Sequence, residues 1–304
     1  MQRYSCTSCG ESFQSKRRSE KTDKDKMWNE YVLKRQTLEN LSETSGLSKR
    51  QLSRQLKKIA SEKSVVFNPV SELNKEVVVV MDVTGFEEFG VMVFRSWTDR
   101  KNLLWYFVRS EKIEDYIYGL GHLESLGYKI YAVVCDGKRW LPETLDSMGY
   151  KVQTCQFHLV KTVTRYLTRR PELPAGQELR SLILKLKYFD EKTFENELKN
   201  WHEKWKVFLQ EKTTNLFSNR WQFTHKKVRS AYRAITIAKP YLFTFEKYKQ
   251  LDITKTTNTL DGSFSHLKQK VNTHRGINSE TKKKMIETIL NIPSKPRKQK
   301  QSVK

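Results

Sequence analysis

The sequence predicts an α/β protein: a mixed sheet carrying an all-helical insertion, preceded by a small helical domain. Three observations predict it. Valine-rich and aromatic runs of strand length occupy residues 76–155, broken by one amphipathic stretch at 112–126. Apolar residues recur at helical spacing, without strand-like alternation, across about 172–250. Ahead of both, residues 27–63 hold short helical patterns divided by Gly46.

Composition bounds the rest. With 304 residues, 57 Lys+Arg against 34 Asp+Glu and a net charge of +23, the chain suits two or three modules and a polyanionic partner, most simply nucleic acid. Hydrophobic residues at 37% and aromatics at 12% supply a core, which excludes wholesale disorder. The longest aliphatic run, 77–81, is far too short to cross a bilayer, and the polar, basic start does not read as a signal peptide. Four cysteines in such a chain make no disulfide scaffold, so a reducing, cytoplasmic and nucleoid-associated setting is expected, with no membrane partner.

Residues 1–26 open with Cys6-Thr-Ser-Cys9-Gly10 and Phe13 and then become a charged linker. Cys-x-x-Cys-Gly reads as one knuckle of a zinc ribbon, the glycine allowing the turn that aims both thiolates at one ion. Structural Zn²⁺ needs four ligands, and no second Cys or His pair lies nearby, so Cys6 and Cys9 make half a site or a remnant of one. Residues 27–63 form the next domain. Met27, Trp28, Tyr31 and Val32 share a helical face, a short helix from Thr37 stops at Gly46, and Ser48 with Gln51 forms a capping box for a helix running to about Ala60. Leu38, Leu41, Leu47, Leu52, Leu56 and Ile59 make a small core, leaving Lys49, Arg50, Ser53, Arg54 and Lys57 on the other face. This is a helix-turn-helix signature with a basic recognition face for DNA; the alternative is an ordinary helical hairpin.

Residues 64–304 form the third part, opened by a connection through Asn68-Pro69. Strand 76–82 ends in Asp82, strands 89–97 and 102–109 continue an antiparallel meander, and helix 112–126 crosses to strand 128–136, which ends in Asp136. Helix 142–148 and strand 151–155 follow. That order is ribonuclease H-like. In it the fourth strand lies parallel beside the first, so Asp82 and Asp136 end side by side. Close carboxylates repel unless a cation separates them. Mg²⁺ (or Mn²⁺) is the oxygen-seeking ion suited to this, and two ions about 3.5–4 Å apart can serve an in-line phosphoryl displacement. Asp261, opening a predicted helix, is the candidate third carboxylate.

With those residues in view, the chain resembles bacterial insertion-sequence transposases of the Mutator-like superfamily, the DDE class on a ribonuclease H-like fold. The resemblance rests on Asp82 after its valine run, Val133-Val-Cys-Asp136-Gly137, Cys155-Gln-Phe-His158, and Thr257-Asn258-Thr-Leu-Asp261-Gly with His274-Arg275-Gly276. It implies Asp82, Asp136 and Asp261 as the catalytic, metal-holding carboxylates, and the stretch 172–250 as the helical insertion between the second and third. The third position is normally glutamate in that superfamily, so Asp261 is one methylene shorter. His158 is expected near the carboxylates, touching one of them or DNA, or else packed as a helix-start residue.

The function expected is a DNA transposase that cuts at element ends and joins the 3′-hydroxyl to target DNA, partnered by terminal inverted repeats, target DNA and at least a second copy of itself. The alternative is a catalytically inactive or domesticated derivative that binds DNA in a sequence-specific manner. Lys138, Arg139, Lys268 and Arg275 are candidate phosphate contacts. Trp221-Gln-Phe and the 229–233 segment mix aromatic and basic residues, suiting a strand-end platform or simple core packing. The tail 291–304 has five basic residues, no acidic ones and two prolines, and is expected to add non-specific DNA affinity.

Overall fold

The computed structural model describes residues 4–13, 20–62, 75–214 and 220–292. Among these, contacts gather 4–62 with 265–292 into one unit and 75–264 into another. No described helix is long and apolar enough to cross a membrane. The tail 293–304 lies outside the described residues.

The first unit opens with a hairpin, β1 (Tyr4–Ser5) against β2 (Ser12–Phe13). Cys6 N–H donates to the Glu11 carbonyl and Gly10 N–H to the Cys6 carbonyl, at 2.8 and 2.9 Å. Gly10 has φ +74, a backbone that glycine adopts at no steric cost. Three helices follow: α1 (Glu20–Leu33), α2 (Leu38–Ser45) and α3 (Lys49–Glu62). Helix α2 starts where the Thr37 hydroxyl accepts the Asn40 N–H and stops at Gly46, φ +69. The capping box of α3 is formed in both directions. Gln51 N–H reaches Ser48 Oγ at 3.3 Å, and Ser48 N–H reaches Gln51 Oε1 at 3.1 Å.

The second unit is built on five strands and the helices between them. These are β3 (Glu76–Gly85), β4 (Gly90–Ser96), β5 (Asn102–Val108), α4 (Ile113–Ser125), β6 (Lys129–Cys135), α5 (Leu141–Ser147), β7 (Lys151–Thr154) and α6 (Gln156–Leu167). The sheet runs β5-β4-β3-β6-β7, antiparallel through the first three and parallel from β3 to β6 to β7. This is the mixed, ribonuclease H-like order expected, with the fourth strand beside the first. Val77–Met81 of β3 and Ala132–Cys135 of β6 are buried, which is why both strands read as Val-rich runs. Helix α4 lies so close to the sheet that a Cβ on Gly119 would stand 2.1 Å from the Phe94 ring.

Beyond α6 the chain is helical except for one short ribbon: α7 (Pro174–Leu184), α8 (Glu191–Gln210), the pair β8 (Lys212–Thr214) and β9 (Trp221–Phe223), α9 (Lys226–Ala238) and the single turn α10 (Thr244–Lys247). Leu159 and Val163 of α6, Leu179 and Ile183 of α7, Phe194 and Trp201 of α8, and Ile235 of α9 share one core. The Trp201 indole N–H is satisfied by the Ala175 carbonyl at 3.1 Å, so this large ring is buried without an orphaned donor. Trp221, in contrast, is 60% exposed.

The last helices are α11 (Asn258–Asn272) and α12 (Ser279–Leu290). Helix α12 belongs with the N-terminal helices: Met285 joins a core of Trp28, Tyr31, Val32, Leu41, Leu52, Leu56 and Ile59, and the Trp28 indole donates to Thr288 Oγ1 at 3.0 Å. Sequence periodicity gave no sign of this long-range partner. His274 is buried in the same unit against Tyr31, ring centroids 3.8 Å apart, and burial depresses its pKa.

Candidate active site

Strand β3 does not stop at Asp82. Its parallel ladder with β6 ends at Val80↔Val134, while its antiparallel ladder with β4 continues to Gly85↔Gly90. Asp82 therefore sits just past the point where β6 gives out, and Asp136 is the first residue beyond the end of β6. The Asp136 charge is near enough to raise the Asp82 pKa.

Asp82 is buried, and burial pushes its carboxyl up to about 7. His158 and the Val83 N–H, which donates to Oδ1 at 2.8 Å, oppose that rise; the Asp261 and Asp136 charges reinforce it. One oxygen or ring nitrogen from each of Asp82, His158 and Asp261 lies within 4.8 Å of the others. Asp136 stands outside that tight group but still raises the affinity of both Asp82 and His158 for a proton.

His158 reaches the site because α6 starts immediately after β7, so the second residue of its first turn after Gln156 projects over the strand ends. Its Nε2 is 3.7 Å from Asp261 Oδ1, and its Nδ1 is 3.2 Å from Thr257 Oγ1. A hydrogen bond to Cys155 is the main reason the imidazole is held up at about 9, against burial, with Asp136 and Asp82 adding to it. Burial alone would push the Cys155 thiol up. Hydrogen bonds from His158 and Thr257 outweigh it and bring the thiol below its ordinary value.

Thr257 is the hub that sequence reading left without a role. Fully buried, it donates its N–H to Cys155 Sγ at 3.3 Å, and its hydroxyl lies near Cys155, His158 and Asp261 Oδ2. Its carbonyl accepts the Asp261 N–H at 3.2 Å, starting α11. The other unforeseen residue is Arg95, buried on β4. Its guanidinium donates to Asn102 Oδ1 at 2.9 Å, the Thr259 carbonyl at 3.1 Å and Ser263 Oγ at 2.7 Å. Thr259 and Ser263 flank Asp261 on α11. The available signal was a lone cation inside an otherwise apolar strand.

The remaining predicted residues are dispersed. Lys49, Arg50, Arg54 and Lys57 are exposed on α3 with Ser53 half-buried beside them, and Lys49 pairs with Glu39. Lys138 is engaged by Glu111 at 3.4 Å, and Arg139 stacks over Trp140, 4.9 Å from the ring centroid. Trp140 itself has φ +70 and is 58% exposed, a left-handed backbone that costs a non-glycine residue roughly 1–2 kcal/mol. Lys268 and Arg275 fall in the first unit, the former half-buried and the latter exposed. Cys6 and Cys9 share one turn, where the N–H groups of Ser8 and Cys9 hold the Cys6 thiol below its ordinary pKa.

No family model matches the chain, and no curated protein does. Among solved structures it is similar to the Drosophila P element transposase strand transfer complex, with a TM-score of 0.44 and 11% identity over 93% of each chain.

Proposed function

We propose that the chain is a DNA transposase of the Mutator-like, DDE class, cutting at insertion-sequence ends and joining the freed 3′-hydroxyl to target DNA. The observation that carries the reading is the convergence of Asp82, His158 and Asp261, with the Asp136 charge near enough to act on Asp82 and His158, from four distant points of the sequence. A buried carboxylate pushed up to about 7 and crowded by two more carboxylates is a donor set that a divalent cation relieves, so these residues fit Mg²⁺ or Mn²⁺. Asp82, Asp136 and Asp261 would hold it. When bound, the ion would polarise the phosphodiester and offset the charge that builds up on its oxygens.

The side chains themselves do the positioning. His158, protonated at neutral pH, holds the Asp261 carboxylate, and Thr257 fixes both. Water attacks phosphorus in line, the bond to the 3′-oxygen breaks, and that oxygen leaves with a proton as the 3′-hydroxyl. The hydroxyl then attacks a target phosphodiester in the same site; the target's own bond from phosphorus to the 3′-oxygen breaks, that oxygen leaves with the proton of the attacking hydroxyl, and no covalent protein intermediate forms. In this reading Arg139 and Lys138 would grip a backbone phosphate, and α3 would offer Lys49, Arg50, Ser53, Arg54 and Lys57 to the major groove. Lys268 and Arg275 are further phosphate contacts in this reading. Joining two element ends calls for at least a dimer.

The test is nicking of terminal-repeat duplex in Mg²⁺. Wild type cuts at the element end, and Asp82→Asn, Asp136→Asn and Asp261→Asn each fall to background while still binding the repeat. Binding without cutting by wild type would instead support the inactive, DNA-binding derivative, and Zn²⁺ retention by Cys6 and Cys9 is scored separately by metal analysis.

A further inference from the structure

A groove of about 530 Å³ leads away from Asp136, Lys138, Arg139 and His158 between α6 and α9, and the chemistry above gives no role to the rest of its α6 wall or to α9. Helix α6 presents His158, Thr162 and Arg165 along one wall, four and three residues apart and so on one face. Helix α9 presents Arg233 and Ile237 from the other. Both arginines are exposed, and neither has a carboxylate partner among the described residues. The acids on the lining are Asp136 at the mouth and Glu111, whose charge Lys138 already meets. Between the cations the lining is mixed, with Ala234, Ile237 and the half-buried Tyr166 beside Thr162 and Ser230.

Free cations beside an aromatic ring and small apolar side chains match a phosphodiester chain whose bases turn inward. The volume falls within the range of small-molecule sites, roughly 300–1,000 Å³, so the groove holds on the order of one or two nucleotides and excludes a duplex. We propose that it takes the single-stranded DNA segment adjoining the scissile phosphate, with Arg165 and Arg233 on its phosphates and a base against Tyr166, Ala234 and Ile237. The inference rests on the carboxylates being a DNA-cutting site. It adds that the duplex must fray beside the cut before reaction.

The experiment measures a short single-stranded DNA oligonucleotide binding to the full chain by fluorescence anisotropy across a salt series, with Asp82→Asn in every protein to keep the DNA intact. Arg165→Gln with Arg233→Gln should weaken binding about tenfold or more. It should also make the slope of log K against log salt shallower by about 1.4, since each single-strand phosphate contact contributes about 0.7. Arg165→Lys with Arg233→Lys should restore the slope. An unchanged slope in the glutamine variant overturns the proposal, as does tighter binding of RNA of the same sequence. With active protein, a substrate unpaired beside the cut should be nicked faster than a fully paired one, and equal rates overturn the fraying step. If neither substrate is nicked, the reading of the carboxylates fails, and the anisotropy result still decides the groove.

Discussion

Replacing Arg95 with methionine keeps the length and bulk of the side chain and removes its charge and its three hydrogen bonds. Those bonds, from a cation to Asn102, the Thr259 carbonyl and Ser263, contribute about 1.5–3 kcal/mol each. Burial of the guanidinium offsets part of this. It holds the group at about 10, below its ordinary 12.5, which corresponds to about 3 kcal/mol. The net loss expected is about 2–5 kcal/mol, read as a lower urea midpoint at unchanged slope. Cutting should suffer separately. Asp261 lies midway between the two α11 residues that Arg95 holds, and a displacement of about 1 Å in a reacting group can cost about 100-fold in rate. Nicking measured well below the unfolding transition should therefore drop by one to two orders of magnitude, through kcat rather than KM. Arg95→Lys keeps the charge but cannot fork to two acceptors, so it should recover part of the stability and little of the rate. An Arg95→Met protein within about 1 kcal/mol of wild type, or one that cuts at the wild-type rate, would refute the idea that this buried cation positions the third carboxylate.

Two further outcomes follow from the same packing. His274 is buried with its pKa depressed, so the unfolded chain takes up a proton near pH 6.5 that the folded chain refuses; stability should hold above that pH and be lost as pH falls toward 5. Denaturant titrations at pH 7.5 and 5.5 read this, and His274→Phe should flatten the difference; an acid loss undiminished in that variant would place its cause elsewhere. Gly119→Ala puts a methyl group 2.1 Å from the Phe94 ring and should cost about 1–3 kcal/mol in thermal unfolding, whereas a neutral result would mean that α4 can lift off the sheet at little cost.

The order of strands and helices was legible because burial on both faces leaves Val-rich runs and burial on one face leaves a 3.6-residue period. The capping box at Ser48 and Gln51 was legible because it is local. What escaped was set by contacts across the chain. The extension of β3 to Gly85 depends on pairing with β4, because Asp82 interrupts the apolar run and Gly85 carries no strand signal, even though Val83 and Thr84 between them are strand formers. The place of α12 beside Trp28 depends on Met285 and Thr288 meeting residues more than 220 positions away. The β8–β9 ribbon inside the helical insertion is too short to leave a period. His158 was foreseen only as a neighbour of carboxylates or a packed residue, and its two-sided contact with Asp261 and Thr257 needed the start of α11 in place.

In the proposed reading Asp261 is the third acid, where the resemblance leads one to expect glutamate, and the geometry around it bears on how aspartate would serve there. A side chain one methylene shorter reaches the same point only if its backbone comes closer. Three ties bring the start of α11 in. Gln156 N–H donates to the Lys255 carbonyl at 3.0 Å, Thr257 N–H donates to Cys155 Sγ at 3.3 Å, and Arg95 grips Thr259 and Ser263 from the sheet. The first two draw the segment before the helix against the first turn of α6, which also carries His158. The third fixes the helix against β4, two strand spacings from β6 in the sheet order. Cys155 thus acts as an acceptor for the backbone that leads to the third acid, and the spacing from Cys155 to His158 places the acceptor and the imidazole on the same helix start. On this account the short third carboxylate and the Cys-x-x-His element are parts of one arrangement, because the sulfur that lowers the helix toward the sheet also holds the imidazole that meets the aspartate.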